Sequence, residues 1–173
     1  NIRLQNSVGK NMTLKDILPE SITTKGGEFY NSWSWLLNFT TYKPRDVVAF
    51  LDFCAVHCHK EEKVLTETIL WNATKDYSEY FYKELQDELY GFFTDEQIFY
   101  LFDEVFPKME MKWIDYQELM GYINRKGLFF DLEDDWILER LYAVGALGVR
   151  LDSGHEHWSY RSKVNLAEFY KTA

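Results

Sequence analysis

The clearest helix start in the chain lies in the stretch Tyr42-Lys43-Pro44-Arg45-Asp46-Val47-Val48-Ala49-Phe50. Proline suits a first helical position because the N–H that it lacks would have no partner there, and the helix dipole favours an acid in the first turn. These rules predict a helix from Pro44 to about Cys58. Because its apolar residues occupy nearly every side, we expect the helix to be buried on more than one face.

Further helices are predicted by apolar residues at three- and four-residue spacing. They cover 29–39, 66–72, 77–89, the segment from Thr94 to Pro107, and the segment from Asp115 to about Arg125, with Gly127 just past its end. Thr94 with Gln97 has the spacing of a capping box, and Asp115 with Glu118 repeats it. The polar run 59–63 is predicted to be a connection.

The last third combines two periodicities. Asp131 can cap a helix whose apolar face includes Trp136 and Leu141, and Gly145 stands where a C-cap glycine belongs. Alternation then begins, and it predicts a β-hairpin with a turn at 152–154. The alternating apolar residues are Leu147, Val149 and Leu151, then Trp158 and Tyr160.

Helix, helix and hairpin is the order of a winged helix. We therefore expect a mainly α fold, a helical bundle followed by a winged-helix-like unit with a C-terminal β-hairpin. The predicted segments are a junction at 1–28, a helical lid-like domain at 29–112, and a winged-helix-like domain at 113–173.

Composition limits the class of protein. The 173 residues are 46% hydrophobic and 18% aromatic, enough for a sizeable core. A net charge of −9 argues against a surface made to hold phosphate backbones or anionic lipid. No apolar run approaches the roughly 18 residues that span a bilayer, and the start lacks the pattern of a signal peptide. We expect a soluble, cytoplasmic protein with no membrane contact.

A metal site is the first chemistry to weigh. Cys54, His57, Cys58 and His59 lie at helical spacing, but the cysteines stand among Phe and Leu residues, where free Cys commonly fills core space. His155 and His157 could join this group only if the hairpin folded back onto the helix. The sequence therefore predicts no metal site, and two cysteines so close together favour a reducing compartment.

Catalytic motifs are missing from the sequence. The pair Gly9-Lys10 is followed by Asn11, whereas a P-loop needs Ser or Thr there and an earlier glycine. No GxGxxG, GxSxG or HExxH occurs. With a first residue that is not Met, this predicts a non-catalytic fragment of a longer protein.

Nucleic-acid binding is a weaker expectation. Residues 113–173 carry seven basic and ten acidic side chains, a local net charge of −3. The helix that would enter a groove is acidic, which has the wrong sign for phosphates. Arg150, Arg161 and Lys163 could still contact a nucleic-acid backbone or a protein partner. A nucleic-acid-binding winged helix and a protein-interaction domain both stay open as alternatives.

The run Lys43-Pro44-Arg45-Asp46-Val47-Val48-Ala49-Phe50 resembles an Arg-Pro-Arg-Asp-Leu-Ile stretch of bacterial P-loop ATPases of the FunZ type. The likeness extends over roughly residues 30 to 165. Downstream, Tyr77-Ser78 with Glu84-Leu85 resembles the next helix pair, and 137–149 with Trp158-Ser159-Tyr160-Arg161 resembles a terminal winged helix.

The resemblance implies that the chain is the lid and winged helix that follow an ATPase core. It implies that Arg45 senses the γ-phosphate of a nucleotide that the core holds, since a guanidinium stays charged and can bond two oxygens. ATP and magnesium are then cofactors of the full-length parent, and the fragment itself has none. The implied partner is the core of the same chain, with a further protein or self-association possible. Lys43 replaces the family's arginine, which leaves a second phosphate contact in doubt.

Overall fold

The computed structural model describes residues 17–23, 27–61, 65–109, 113–151 and 153–162. The fold is mainly α-helical with two small antiparallel hairpins, which confirms the predicted class. Packing divides the chain into two compact units, Asn1–Tyr80 and Phe81–Ala173. One helix runs through this division, so the units describe packing, and the predicted domain segments 1–28, 29–112 and 113–173 stay predictions.

The first unit begins with a hairpin. In it, β1 (Ser21–Thr23) pairs antiparallel with β2 (Phe29–Asn31), and Ile22 lies opposite Tyr30. Helix α1 (Ser32–Phe39) follows at once, so the helix predicted from residue 29 starts three residues late. The reason is local: Phe29–Asn31 are paired as a strand, and the Asn31 side chain accepts the Ser34 N–H as an N-cap.

Two long helices follow, and the second of them continues past Tyr80, where the first unit ends. Helix α2 (Pro44–Glu61) starts at the predicted proline and extends past Cys58 into the predicted connection. Helix α3 (Glu67–Leu89) is one continuous helix, so the prediction of two helices at 66–72 and 77–89 was wrong. No glycine or proline stands between them, and the intervening Ala73 is fully buried, which keeps the helix intact.

The second unit contains the remaining elements in chain order. They are α4 (Asp95–Phe99), a π-helical turn (Tyr100–Val105), a 3-10 turn (Phe106–Lys108), α5 (Tyr116–Ile123), a 3-10 turn (Asn124–Lys126), α6 (Asp134–Val144), β3 (Val149–Arg150), β4 (Glu156–His157) and α7 (Ser159–Ser162). The capping box is confirmed, since Thr94 Oγ1 accepts the Gln97 N–H and Gln97 Oε1 accepts the Thr94 N–H. Asp115 caps α5 through the Gln117 N–H.

The π-helical turn leaves one carbonyl without a helical partner. The Phe106 N–H donates to the oxygen of Leu101, five residues back, and Pro107 has no N–H to offer Phe102. The Tyr82 hydroxyl lies 2.9 Å from the Phe102 carbonyl oxygen and 3.0 Å from Asp103 Oδ1. The single proton of this hydroxyl is shared between the two acceptors, so a side chain of α3 supplies a donor to the carbonyl that the widened turn leaves without one.

The last third departs from the prediction in detail. Helix α6 begins at Asp134, and its N-cap position is Glu133, not Asp131; the Glu133 side chain makes no capping hydrogen bond. Gly145 ends the helix in the left-handed region at φ 86°. The hairpin is confirmed but short, with Val149 opposite His157. Tyr160 lies in α7, where the alternation predicted a strand. The described sheet here has two strands, and the winged-helix assignment is not confirmed.

Candidate functional site

An aromatic cluster fixes the first turns of α2. Phe50 is fully buried, and its ring lies 5.5 Å from the rings of Phe39 and Tyr77 and 5.8 Å from that of Trp35. All three of these contacts are edge-to-face, a geometry that aromatic quadrupoles favour. The cluster joins α1, α2 and α3, so the helix start that precedes Phe50 is set on a rigid base.

The turn between α1 and α2 has an unusual backbone. Thr41 and Tyr42 have φ angles of 52° and 59°, in the left-handed region that side chains other than Gly, Asn and Asp rarely adopt. Two contacts hold the turn: Thr40 Oγ1 donates to the Leu36 carbonyl at 2.8 Å, and the Tyr42 N–H donates to that of Leu37 at 3.0 Å. Such positions cost about 1–3 kcal/mol each, so the surrounding packing must enforce this conformation.

Asp46 connects the turn to the helix. Its side chain is 1% exposed, and its Oδ2 accepts the Thr41 hydroxyl at 3.0 Å. The N–H groups of Asp46 and Val47 both donate to the Lys43 carbonyl at 3.1 Å, which makes Lys43 the last residue before the helix. A buried carboxylate in the first turn also complements the helix dipole. The acid predicted only as a helix-start signal is thus the central anchor of the turn.

Arg45 lies between this anchor and solvent. Its side chain is 59% exposed, and its Nε lies 3.5 Å from Asp46 Oδ1. The buried carboxylate therefore lies beside one edge of an exposed guanidinium at the start of an 18-residue helix. Both the guanidinium and the first turn of a helix favour an anion, so the arrangement suits contact with a phosphate or carboxylate group.

The cysteine and histidine group does not assemble a metal site. Burial, together with the neighbouring Cys58, raises the pKa of Cys54 to about 12, so this thiol stays protonated. His57 Nε2 instead lies 2.8 Å from Asp76 Oδ2, a contact that joins α2 to α3. Across the described residues, no group of three or more His, Cys, Asp or Glu side chains could hold a metal ion.

The predicted contacts of the hairpin lie in the second unit. The Arg150 guanidinium carbon sits 5.5 Å from the centre of the Trp113 ring, a cation–π contact. Arg161 is in α7, but its side chain, like the whole of Lys163, is outside the described residues. Of Arg150, Arg161 and Lys163, only Arg150 has a described side chain, and that side chain lies beside an aromatic ring.

Residues 1–86 match the FunZ-associated C-terminal helical domain. The matched segment contains the turn, Asp46, Arg45 and the aromatic cluster, and it ends within α3. This supports assigning that part of the chain to the C-terminal accessory region of a larger protein of the FunZ type. Neither the curated proteins nor the solved structures include a significant match.

The match does not extend to the β3–β4 hairpin, which belongs to the segment that resembles a winged helix. None of the helices in the described part of the chain has the length and apolar character needed to cross a membrane.

Sequence reasoning missed two residues of the site. Thr41 carries no signal, because a left-handed conformation is normally predicted from Gly, Asn or Asp. Asp46 was assigned to the helix start alone, since an acid in a first turn is usually exposed. The available hint was the apolar run Val47-Val48-Ala49-Phe50 directly after Asp46, which favours burial near the helix start.

Proposed function

We propose that this chain is a non-catalytic regulatory region of a FunZ-type P-loop ATPase, in which Arg45 contacts a phosphate oxygen of a nucleotide held by the ATPase core. The observation that carries the proposal is the exposed Arg45 guanidinium beside the buried carboxylate of Asp46, at a helix start within the matched segment. A guanidinium at this position would respond to the presence of the γ-phosphate.

The described residues fit one part of a nucleotide site. A guanidinium at a helix start suits a phosphate oxygen, whereas the described acids form no cluster that could hold magnesium. ATP and magnesium would therefore be bound by the core, and the proposed role of this chain is to position Arg45. We expect the isolated chain neither to bind ATP tightly nor to hydrolyse it.

The turn gives the proposal a means of coupling. Thr41 and Tyr42 hold left-handed conformations, and the bond from Thr41 to Asp46 joins them to the residue beside Arg45. A change at Arg45 would therefore reach the backbone between α1 and α2. Segments held in strained conformations are suited to two-state behaviour of this kind.

The test uses the protein that contains both the core and this region. Arg45→Ala is expected to slow ATP turnover by about tenfold or more, in the range of a lost charge-assisted contact in a transition state. Arg45→Lys keeps the charge but loses the planar fork, so it should restore only part of the rate. Arg125→Ala removes an exposed arginine of the second unit and is the matched control.

A merely structural role of Arg45 would lower the melting temperature and leave the turnover of folded protein unchanged. Equal turnover in the Arg45→Ala and Arg125→Ala variants would remove Arg45 from the mechanism.

A further inference from the structure

An apolar cavity lies within the second unit. Its volume is about 400 Å³, within the range of roughly 300–1,000 Å³ typical of small-molecule pockets. Its walls come from α3, the π-helical turn and the residues after it, α5, and the segments on either side of the hairpin. Trp113, Trp158, Phe102 and Phe106 supply aromatic surface.

One wall of the cavity depends on close contact between Gly148 and the Trp158 indole. A Cβ placed on Gly148 would lie 2.7–2.9 Å from three atoms of the Trp158 indole, so only glycine lets that ring lie on the chain. The Trp158 ring is also 5.7 Å from the ring of Tyr160, and Tyr160 in turn packs against Gly145. Two glycines therefore hold the aromatic wall in position.

Another part of the lining comes from the π-helical turn. Such turns are rare and are frequently found at functional sites, because the extra residue displaces side chains from their helical positions. Here Phe102 lies within the widened turn and Phe106 follows it directly, and the Tyr82 hydroxyl lies 2.9 Å from the Phe102 carbonyl oxygen. The pKa of Tyr82 is raised to about 12, by burial first and then by Asp103, so the hydroxyl remains a donor at neutral pH.

The lining indicates the chemistry of the occupant. Among the described residues, every one that lines the cavity is aromatic, aliphatic, methionine or glycine. A charged group would find no partner there and would lose its hydration without compensation. A flat, uncharged molecule would instead meet indole and phenyl faces, where stacked and edge-to-face contacts are both favourable.

We propose that this cavity is a binding site for a small, uncharged aromatic molecule. The site lies apart in sequence from the segment that carries Arg45, and it does not depend on the function proposed for that residue.

The test titrates the full chain with N-phenyl-1-naphthylamine, an uncharged dye that fluoresces in apolar surroundings. Binding should saturate at one dye per chain, with a Kd on the order of 10 μM for a ligand of this size. Ala146→Phe places a ring in the cavity and should weaken binding tenfold or more. Ala143→Phe adds the same ring on the exposed side of α6 and should leave binding unchanged.

Two further measurements guard against an unfolded variant. Gly148→Ala forces the Trp158 indole to move and should change the affinity several-fold, whereas Gly121→Ala, in open space, should not. In NMR spectra of the unaltered chain, saturating dye should shift the indole N–H signals of Trp113 and Trp158 and leave that of Trp33 in place. Absence of saturable binding, as would follow if residues of the chain itself fill the cavity, overturns the proposal. Binding that Ala146→Phe and Gly148→Ala leave unaltered overturns it as well.

Discussion

Replacing Tyr82 by phenylalanine tests how the π-helical turn is stabilised. The change removes one hydroxyl and leaves the aromatic contact with Phe102, whose ring is 5.0 Å away. The Phe102 carbonyl then loses the donor that neither Phe106 nor Pro107 can replace. A neutral hydrogen bond contributes about 0.5–1.5 kcal/mol, and a buried acceptor left unpaired costs about 1–3 kcal/mol.

Solvent access sets the value within these ranges. Tyr82 is 38% exposed, so water can partly replace its hydroxyl, and we expect the free energy of unfolding to fall by about 1 kcal/mol. That corresponds to a melting temperature lower by roughly 2–4 °C in a chain of this length. Urea unfolding followed by circular dichroism measures the difference. Tyr90→Phe, at a residue 52% exposed, is the control and should have no effect.

The pH dependence tests the surroundings of the same hydroxyl, whose pKa is raised by burial first and then by its hydrogen bond to Asp103. The pKa of Tyr82 is about 12 in the folded chain against 10.0 for an ordinary tyrosine. Its contribution to stability is therefore complete below pH 10 and is lost as the pH rises to about 12, because the unfolded state releases its proton first. The stability gap between the unaltered chain and Tyr82→Phe should narrow over that interval. Equal stability of the Tyr82→Phe and Tyr90→Phe variants at neutral pH would refute the account of the turn.

Two other predictions concern a glycine and a thiol. Gly145→Ala should lower the free energy of unfolding by about 1–2 kcal/mol, because Gly145 has φ 86° and a Cβ there would lie 3.2 Å from the Tyr160 ring. Gly121→Ala, at an open position of α5, is the control and should not destabilise the chain. Chemical denaturation measures both variants. The thiol prediction compares one variant that retains only Cys58 with one that retains only Cys54. Under native conditions at pH 8, a chromogenic disulfide reagent should react far faster with Cys58, because Cys54 is buried and its pKa is about 12. Equal reaction rates would contradict this prediction.

The sequence predicts those features that local rules control. Pro44, the Thr94 and Gln97 pair, and Gly145 each act through contacts within a few residues, and the structure confirms all three. The continuity of α3 could have been predicted from the sequence, because no glycine or proline interrupts residues 67–89. The start of α1 depends on strand pairing with Ser21–Thr23, which spacing within 29–39 does not show.

The candidate sites likewise include one residue that the local sequence indicates and others that depend on tertiary contacts. Arg45 could be chosen from sequence because its motif is contiguous. The role of Asp46 depends on a hydrogen bond from Thr41 across a left-handed turn. That turn could not be predicted, because Thr41 and Tyr42 are not residue types that favour a left-handed conformation. The cavity is assembled from segments far apart in the chain, so its lining could not be grouped before the structure was known.

Gln97 shows how a tertiary contact narrows a choice that a local rule leaves open. For the capping box, glutamate and glutamine are equivalent, because either offers an oxygen to the Thr94 N–H. The Gln97 Nε2 also donates to the Leu128 carbonyl at 2.7 Å, and a carboxylate would face that oxygen with a second acceptor. The loop at Leu128 thus discriminates between two residues that the helix accepts equally. Among related sequences, amide rather than acid at this position would mark those that keep the same loop.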